Sequence, residues 1–139
     1  MKITIKNLQN KLAIRPLRIK KLINHILKEE GRKESGCINI CFVDNPLIKK
    51  FNLKFLKTSS STDVLAFNLN NEKKSKILLA DIMISTDTAI NNARKFKTTS
   101  DYELMLYVAH GILHILGYDD RTKTQMKRMR KSEAEYVNR

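Results

Sequence analysis

The stretch His110-Gly111-Ile112-Leu113-His114-Ile115-Leu116-Gly117-Tyr118-Asp119-Asp120 holds two of the chain's three histidines and two of its four glycines. Residues four apart on a helix share a face, so the imidazoles of His110 and His114 can converge on one metal ion. Gly117 supplies the left-handed backbone with which a helix commonly stops. The chain can then fold back and bring Asp120 to the open side of that ion. Two imidazoles and a carboxylate with a free position form a catalytic metal site, not a closed structural one.

The residues upstream decide what kind of helix carries this set. Leu104, Met105, Leu106, Val108, Ala109, Ile112, Leu113, Ile115 and Leu116 make it apolar almost all round, which predicts a buried helix. Ser100 with Glu103 three residues on predicts a capping box at its start. A buried polar group without a partner costs about 1–3 kcal/mol, and a metal satisfies both imidazoles at once. The alternative is a pair of core histidines bonded to backbone carbonyls.

The spacing also matches the zinc-protease pattern H-E-x-x-H-x-x-G-x-x-H/D, except that Gly111 stands where the glutamate belongs. That glutamate is the general base of peptide hydrolysis, so this route is not expected here. Phosphodiester chemistry fits better. A metal can activate water and polarise a phosphoryl oxygen, while Lys or Arg holds the phosphates.

Composition supports an anionic partner. There are 27 Lys and Arg against 14 Asp and Glu, a formal charge of +13 over 139 residues. Such an excess suggests nucleic acid or a membrane surface, although lysine-rich usage also follows from a genome's base composition. The length predicts one domain spanning residues 1–139. No 18-residue apolar run predicts a membrane span, and the N-terminus lacks the apolar core of a signal peptide. Cys37 and Cys41 have no second pair and read as reduced thiols. A cytoplasmic location is expected.

Further elements follow from periodicity. Ile3 and Ile5 alternate in a first strand, and Pro16 to Glu30 reads as a helix stopped by Gly31. Cys37 to Val43 reads as a strand, and a short helix from Asn45 and Pro46 carries Ile48, Phe51, Leu53 and Phe55. Lys57 to Ser61 reads as a loop. Two strands, Thr62 to Phe67 and Ile77 to Ile84, flank a charged turn, and Ser85-Thr86-Asp87 caps a helix running to about Phe96. Thr122 with Gln125 caps a basic C-terminal helix. The expected class is α/β (α+β): a small mixed sheet flanked by helices, with a zincin-like metal-binding helix.

The eleven-residue stretch resembles the signature of the YbeY family, metal-dependent endoribonucleases of ribosomal RNA maturation. Phe51-Asn52 followed by Thr62-Asp63-Val64-Leu65-Ala66-Phe67 resembles that family's L-N and T-D-V-L-S-F segment. Ala80-Asp81-Ile82-Met83-Ile84-Ser85 resembles its G-D-I-x-I-S strand, and Met129 and Glu133 match a methionine and a glutamate of its last helix. The resemblance implies a zinc ion on His110, His114 and the third ligand position. It also implies cleavage of single-stranded RNA, with roles in maturing the 3′ end of small-subunit ribosomal RNA and in ribosome quality control.

Two positions depart from the family. Its third ligand is usually histidine, and here that position is Asp120. Asp119 beside it could substitute, or could hold a ligating imidazole in place. The family's arginine four residues after the L-N asparagine is replaced by Leu56, with Lys57 next. Lys57 and Arg121 are the cations expected near the scissile phosphate. Thr62 and Asp63 read better as a turn cap than as substrate contacts, Tyr118 as packing more than as a base stack, and His25 as an ordinary surface or core histidine. Three functions stay open: an active metal-dependent endoribonuclease, a ribosome-assembly or RNA-binding factor of the same fold with weakened catalysis, and a metal-dependent hydrolase of another substrate.

Overall fold

The computed structural model describes residues 1–56, 63–70 and 76–138, with backbone alone for 52–56. Among the described residues four strands form one mixed sheet: β1 (Lys2–Asn7), β2 (Ser35–Val43), β3 (Val64–Asn68) and β4 (Ile77–Ser85). Their order is β1-β2-β4-β3, with β1, β2 and β4 parallel and β3 antiparallel on one edge. The described residues also form five helices: α1 (Pro16–Glu29), α2 (Asn45–Leu56), α3 (Thr86–Phe96), α4 (Ser100–Ile115) and α5 (Lys123–Val137). The mixed sheet flanked by helices is the class that the sequence predicts.

Strand period sorts the sheet into two faces. Ile3, Ile5, Ile38, Ile40, Phe42, Ala80, Ile82 and Ile84 share one face by register. Against it lie the apolar stripe of α1 (Ile19, Leu22, Ile23, Ile26, Leu27) and α4. The α1 stripe repeats at three- and four-residue steps, as a one-faced helix requires. Val43, Leu65 and Met83 point to the other face, where Ile48 of α2 packs on them.

α4 lies against β3 and β4. A Cβ built on Gly111 would stand 3.0 Å from Ile82 Cγ2 and 3.3 Å from Val64 Cγ1. The residue between the two histidines therefore faces the sheet, away from their open side. Its lack of a side chain lets the helix approach that closely. Ile112 and Leu113 beside it are fully buried, and trimming either to alanine costs about 2–5 kcal/mol.

Helix ends follow local chemistry, with one correction. Ser85 caps α3 by accepting from Thr88 N–H, and Thr122 and Gln125 form the expected reciprocal box on α5. α4 is capped by Thr99, one residue before the expected Ser100, through Tyr102 N–H. Either hydroxyl suits the cap position, but the helix takes Ser100 as its first residue and buries Glu103. At the junction of α2 and α3, Asp87 accepts from Asn45 N–H at 2.7 Å and pairs with Lys11. Cys37 and Cys41 are both free thiols on β2. Among the described residues no helix is long and apolar enough to cross a membrane.

Candidate metal centre

α4 exposes one strip. His110 and His114 are half-buried there, one turn apart, with ring centroids 5.2 Å apart and planes at 88°. The helix then ends in a Schellman motif. Tyr118 N–H donates to Leu113 O and Gly117 N–H to His114 O, both at 3.0 Å. Gly117 sits at φ +105, a backbone that side-chain-bearing residues rarely adopt. This reversal returns the chain over the imidazoles.

Asp120 arrives by that turn. Its carboxylate oxygens lie 3.8 Å from His110 Nε2 and 3.5 Å from His114 Nε2. One donor atom from each of the three residues falls within 4.8 Å of the other two. Ligands at about 2.0–2.2 Å around a tetrahedral zinc stand roughly 3.3–3.6 Å apart. A divalent ion could sit among these donors once they draw together, the short aspartate side chain reaching the face that the imidazoles present.

The opposite side of His110 is held by a residue for which the spacing gave no signal. Glu133 on α5 hydrogen-bonds His110 Nδ1 through Oε1. That contact leaves Nε2 facing Asp120 and fixes the ring's orientation, as carboxylates behind metal-binding imidazoles do. Glu133 is 9% exposed. Its match to the family's last helix was the one sequence sign of its importance. The expected alternative, Asp119, does something else: its Oδ1 accepts from Asp120 N–H at 2.8 Å and its Oδ2 pairs with Arg121.

Electrostatics at His110 oppose one another. Burial disfavours the imidazolium. The hydrogen bond and charge of Glu133, with the charges of Asp63 and Asp120, outweigh it and hold the pKa above the ordinary histidine value. Asp63 stands at the start of β3, where its Oδ1 accepts from Val64 N–H at 2.9 Å, and it also lines the cleft. The turn reading of Asp63 is therefore incomplete.

The three donors open into a cleft of about 400 Å³. Its other wall is β3 from Val64 to Asn68, with Ile115 of α4 completing it. Arg121 is not among the lining residues. Its side chain is 86% exposed, with Nε 3.4 Å from Asp119 Oδ2. Lys57 and Thr62 lie outside the described residues, and Leu56 is the last residue of α2. Tyr118 packs against the core with Arg128 over its ring at 5.2 Å, so its face is already occupied. His25 stacks edge-on with Tyr136 at 5.8 Å, apart from this cluster.

Comparison with known proteins agrees with this architecture. The family model described as Endoribonuclease YbeY matches residues 4–139. The Endoribonuclease YbeY of Desulforamulus reducens is 31% identical over 149 aligned residues, covering 100% of this chain and 97% of the relative. That of Christiangramia forsetii is 35% identical over 109 residues, covering 78% and 74%. The solution structure of a Thermotoga maritima protein superposes with a TM-score of 0.69 at 30% identity, over 98% of this chain and 87% of the other. With its histidine pair, returning carboxylate and matched length, this chain belongs to the YbeY family of endoribonucleases.

Proposed function

We propose that this chain is a zinc-dependent endoribonuclease that cuts single-stranded RNA. Its expected roles are maturing the 3′ end of small-subunit ribosomal RNA and ribosome quality control in the cytoplasm, with residues 1–139 working as one catalytic domain. The observation that carries the nuclease reading is the convergence of His110, His114 and Asp120 at an open cleft, with Glu133 behind the first imidazole.

His110, His114 and Asp120 would hold the ion. When bound, it supplies Lewis-acid polarisation of a phosphoryl oxygen and makes water ionisable near neutral pH. Glu133 holds the His110 ring so that Nε2 faces the cleft, and it stabilises positive charge on that ring. β3 forms the wall of the cleft opposite the histidines, along which an RNA strand would lie. Arg121 and Lys57 are assigned to the phosphates flanking the cut. The guanidinium of Arg121 is free enough to swing from Asp119 to a phosphate. Lys57 would act as a point charge where the family has a planar fork. Position 111 supplies no peptidase base, because it is glycine and faces Ile82 and Val64.

Elemental analysis of the purified protein and cleavage of a single-stranded RNA, wild type beside His114→Ala, test this reading. The expected result is about one zinc per chain and cleavage lost in the variant. Less than about a tenth of an equivalent of any transition metal after reconstitution would sink the metal site. Equal cleavage by both proteins would mean a contaminating nuclease. RNA binding without metal-dependent cleavage would favour the assembly factor.

A further inference from the structure

α5 carries Glu133 inward to His110, and its outward face is strongly basic. Lys123, Lys127, Arg128, Arg130 and Lys131 are all exposed, and its first turn contains no acidic residue. At 3.6 residues per turn, Lys123, Lys127, Arg130 and Lys131 fall within an arc of about 100°, its centre turned about 110–150° from the buried Glu133 and Met129. Among the described residues none of these four pairs with a carboxylate.

This arrangement works against the helix that carries it. Lys123 opens α5, where the positive end of the helix dipole disfavours cations. Lys123, Lys127 and Lys131 succeed one another at four-residue steps, where like charges repel. α3 and α4 follow the opposite rule, whereas α1 and α2, like α5, carry no acidic residue in the first turn. α3 and α4 begin with Asp87 and with Asp101 and Glu103, and α3 places Arg94 and Lys95 in its last turn. Their concentration on one exposed arc gives a surface complementary to an anion, although Lys131 at its far end shares a depression with Glu29, Glu30 and Glu135.

The position identifies that anion. Lys123 follows Asp120 by three residues, so its Cα lies within about 11 Å of that of Asp120. We propose that the outward face of α5 is a track for the sugar-phosphate backbone of the RNA strand beyond the cleft. Lys123, Lys127 and Lys131 contact successive phosphates, and Arg130 flanks them. The proposal rests on the nuclease reading for its substrate class. It assigns the affinity for that substrate to a surface outside the metal centre.

The test compares two triple variants that remove equal charge. Lys123→Gln, Lys127→Gln and Lys131→Gln strip α5. Arg94→Gln, Lys95→Gln and Lys97→Gln strip the C-terminal end of α3. Fluorescence anisotropy with a labelled single-stranded 2′-O-methyl RNA of about 16 nucleotides is followed from about 50 to 200 mM salt. The α5 triple is expected to weaken binding about 10-fold at the low end. It should reduce the slope of log affinity against log salt by about 2, at about 0.7 per lost phosphate contact. The α3 triple should leave the slope unchanged. The α5 triple should also melt no lower than wild type, since it loses internal repulsion. Equal effects of both triples would reduce the finding to bulk charge, and an unchanged slope in the α5 triple would remove the track. Wild type that binds with an α5-dependent slope yet never cuts RNA keeps the track and loses the nuclease. Wild type that cuts RNA with KM unchanged in the α5 triple does the reverse.

Discussion

Glu133 Oε1 closes on His110 Nδ1 from a helix 23 residues further along the chain. The contact joins α5 to α4 at the point where the three donor groups meet. It makes the last helix part of the candidate metal centre, although none of its residues lines the cleft.

Glu133→Gln is expected to weaken zinc retention by about 10–100-fold, the usual cost of removing the carboxylate behind a metal-binding imidazole. Competition with a chromophoric chelator measures it. Retention equal to wild type would leave Glu133 a structural residue only.

The raised pKa of His110 gives a pH dependence with opposite signs in the two states. An imidazolium has no lone pair for a metal, so zinc uptake should rise with pH and level off above that pKa. In metal-free protein, a folded pKa above the unfolded value of about 6.5 makes the contribution of His110 complete below that value. It is lost as pH rises through the folded pKa. Melting of chelator-treated wild type against His110→Gln should therefore converge at higher pH; a gap that widens with pH would contradict the assignment.

Restoring the protease glutamate should not create a protease. Gly111→Glu drives a charged side chain into Ile82 and Val64. Overpacking costs about 1–3 kcal/mol, and an unpaired buried carboxylate adds several more. Urea unfolding should show severe loss of stability with no casein hydrolysis. Gly111→Ala should come out near neutral or slightly destabilising, because about 1 kcal/mol of helix propensity is offset by the 3.0 Å approach to Ile82 Cγ2.

Asp87→Ala removes the acceptor for Asn45 N–H and the partner of Lys11. A hydrogen bond to a charged group contributes about 1.5–3 kcal/mol, and a loss of that order is expected at neutral pH. Burial raises the carboxyl pKa, but the Lys11 and Asn45 hydrogen bonds and the Lys11 charge lower it further, for a net depression. Its contribution is therefore present above the unfolded value of about 3.9 and lost as pH falls through the folded one. Wild type and variant should approach equal stability in acid; a constant difference down to pH of about 2 would refute the linkage.

The sequence by itself determined what depends on neighbours along the chain. The four-residue step of His110 and His114, the stop at Gly117, the return of Asp120, the stripe of α1 and the caps at Ser85 and Thr122 are all local. Each follows from helix period or from hydrogen bonds between residues a few positions apart. Tertiary packing decided the rest. Spacing gave no reason to link Glu133 with His110, because their contact depends on how α5 crosses α4. The wall that β3 gives the cleft depends on its edge place beside β4. Gly111 was legible as a missing base, but only the structure shows that this position faces Ile82 and Val64 at close range. Local sequence specifies backbone conformation and which face a side chain takes; which elements those faces meet is settled only when the whole core is buried at once.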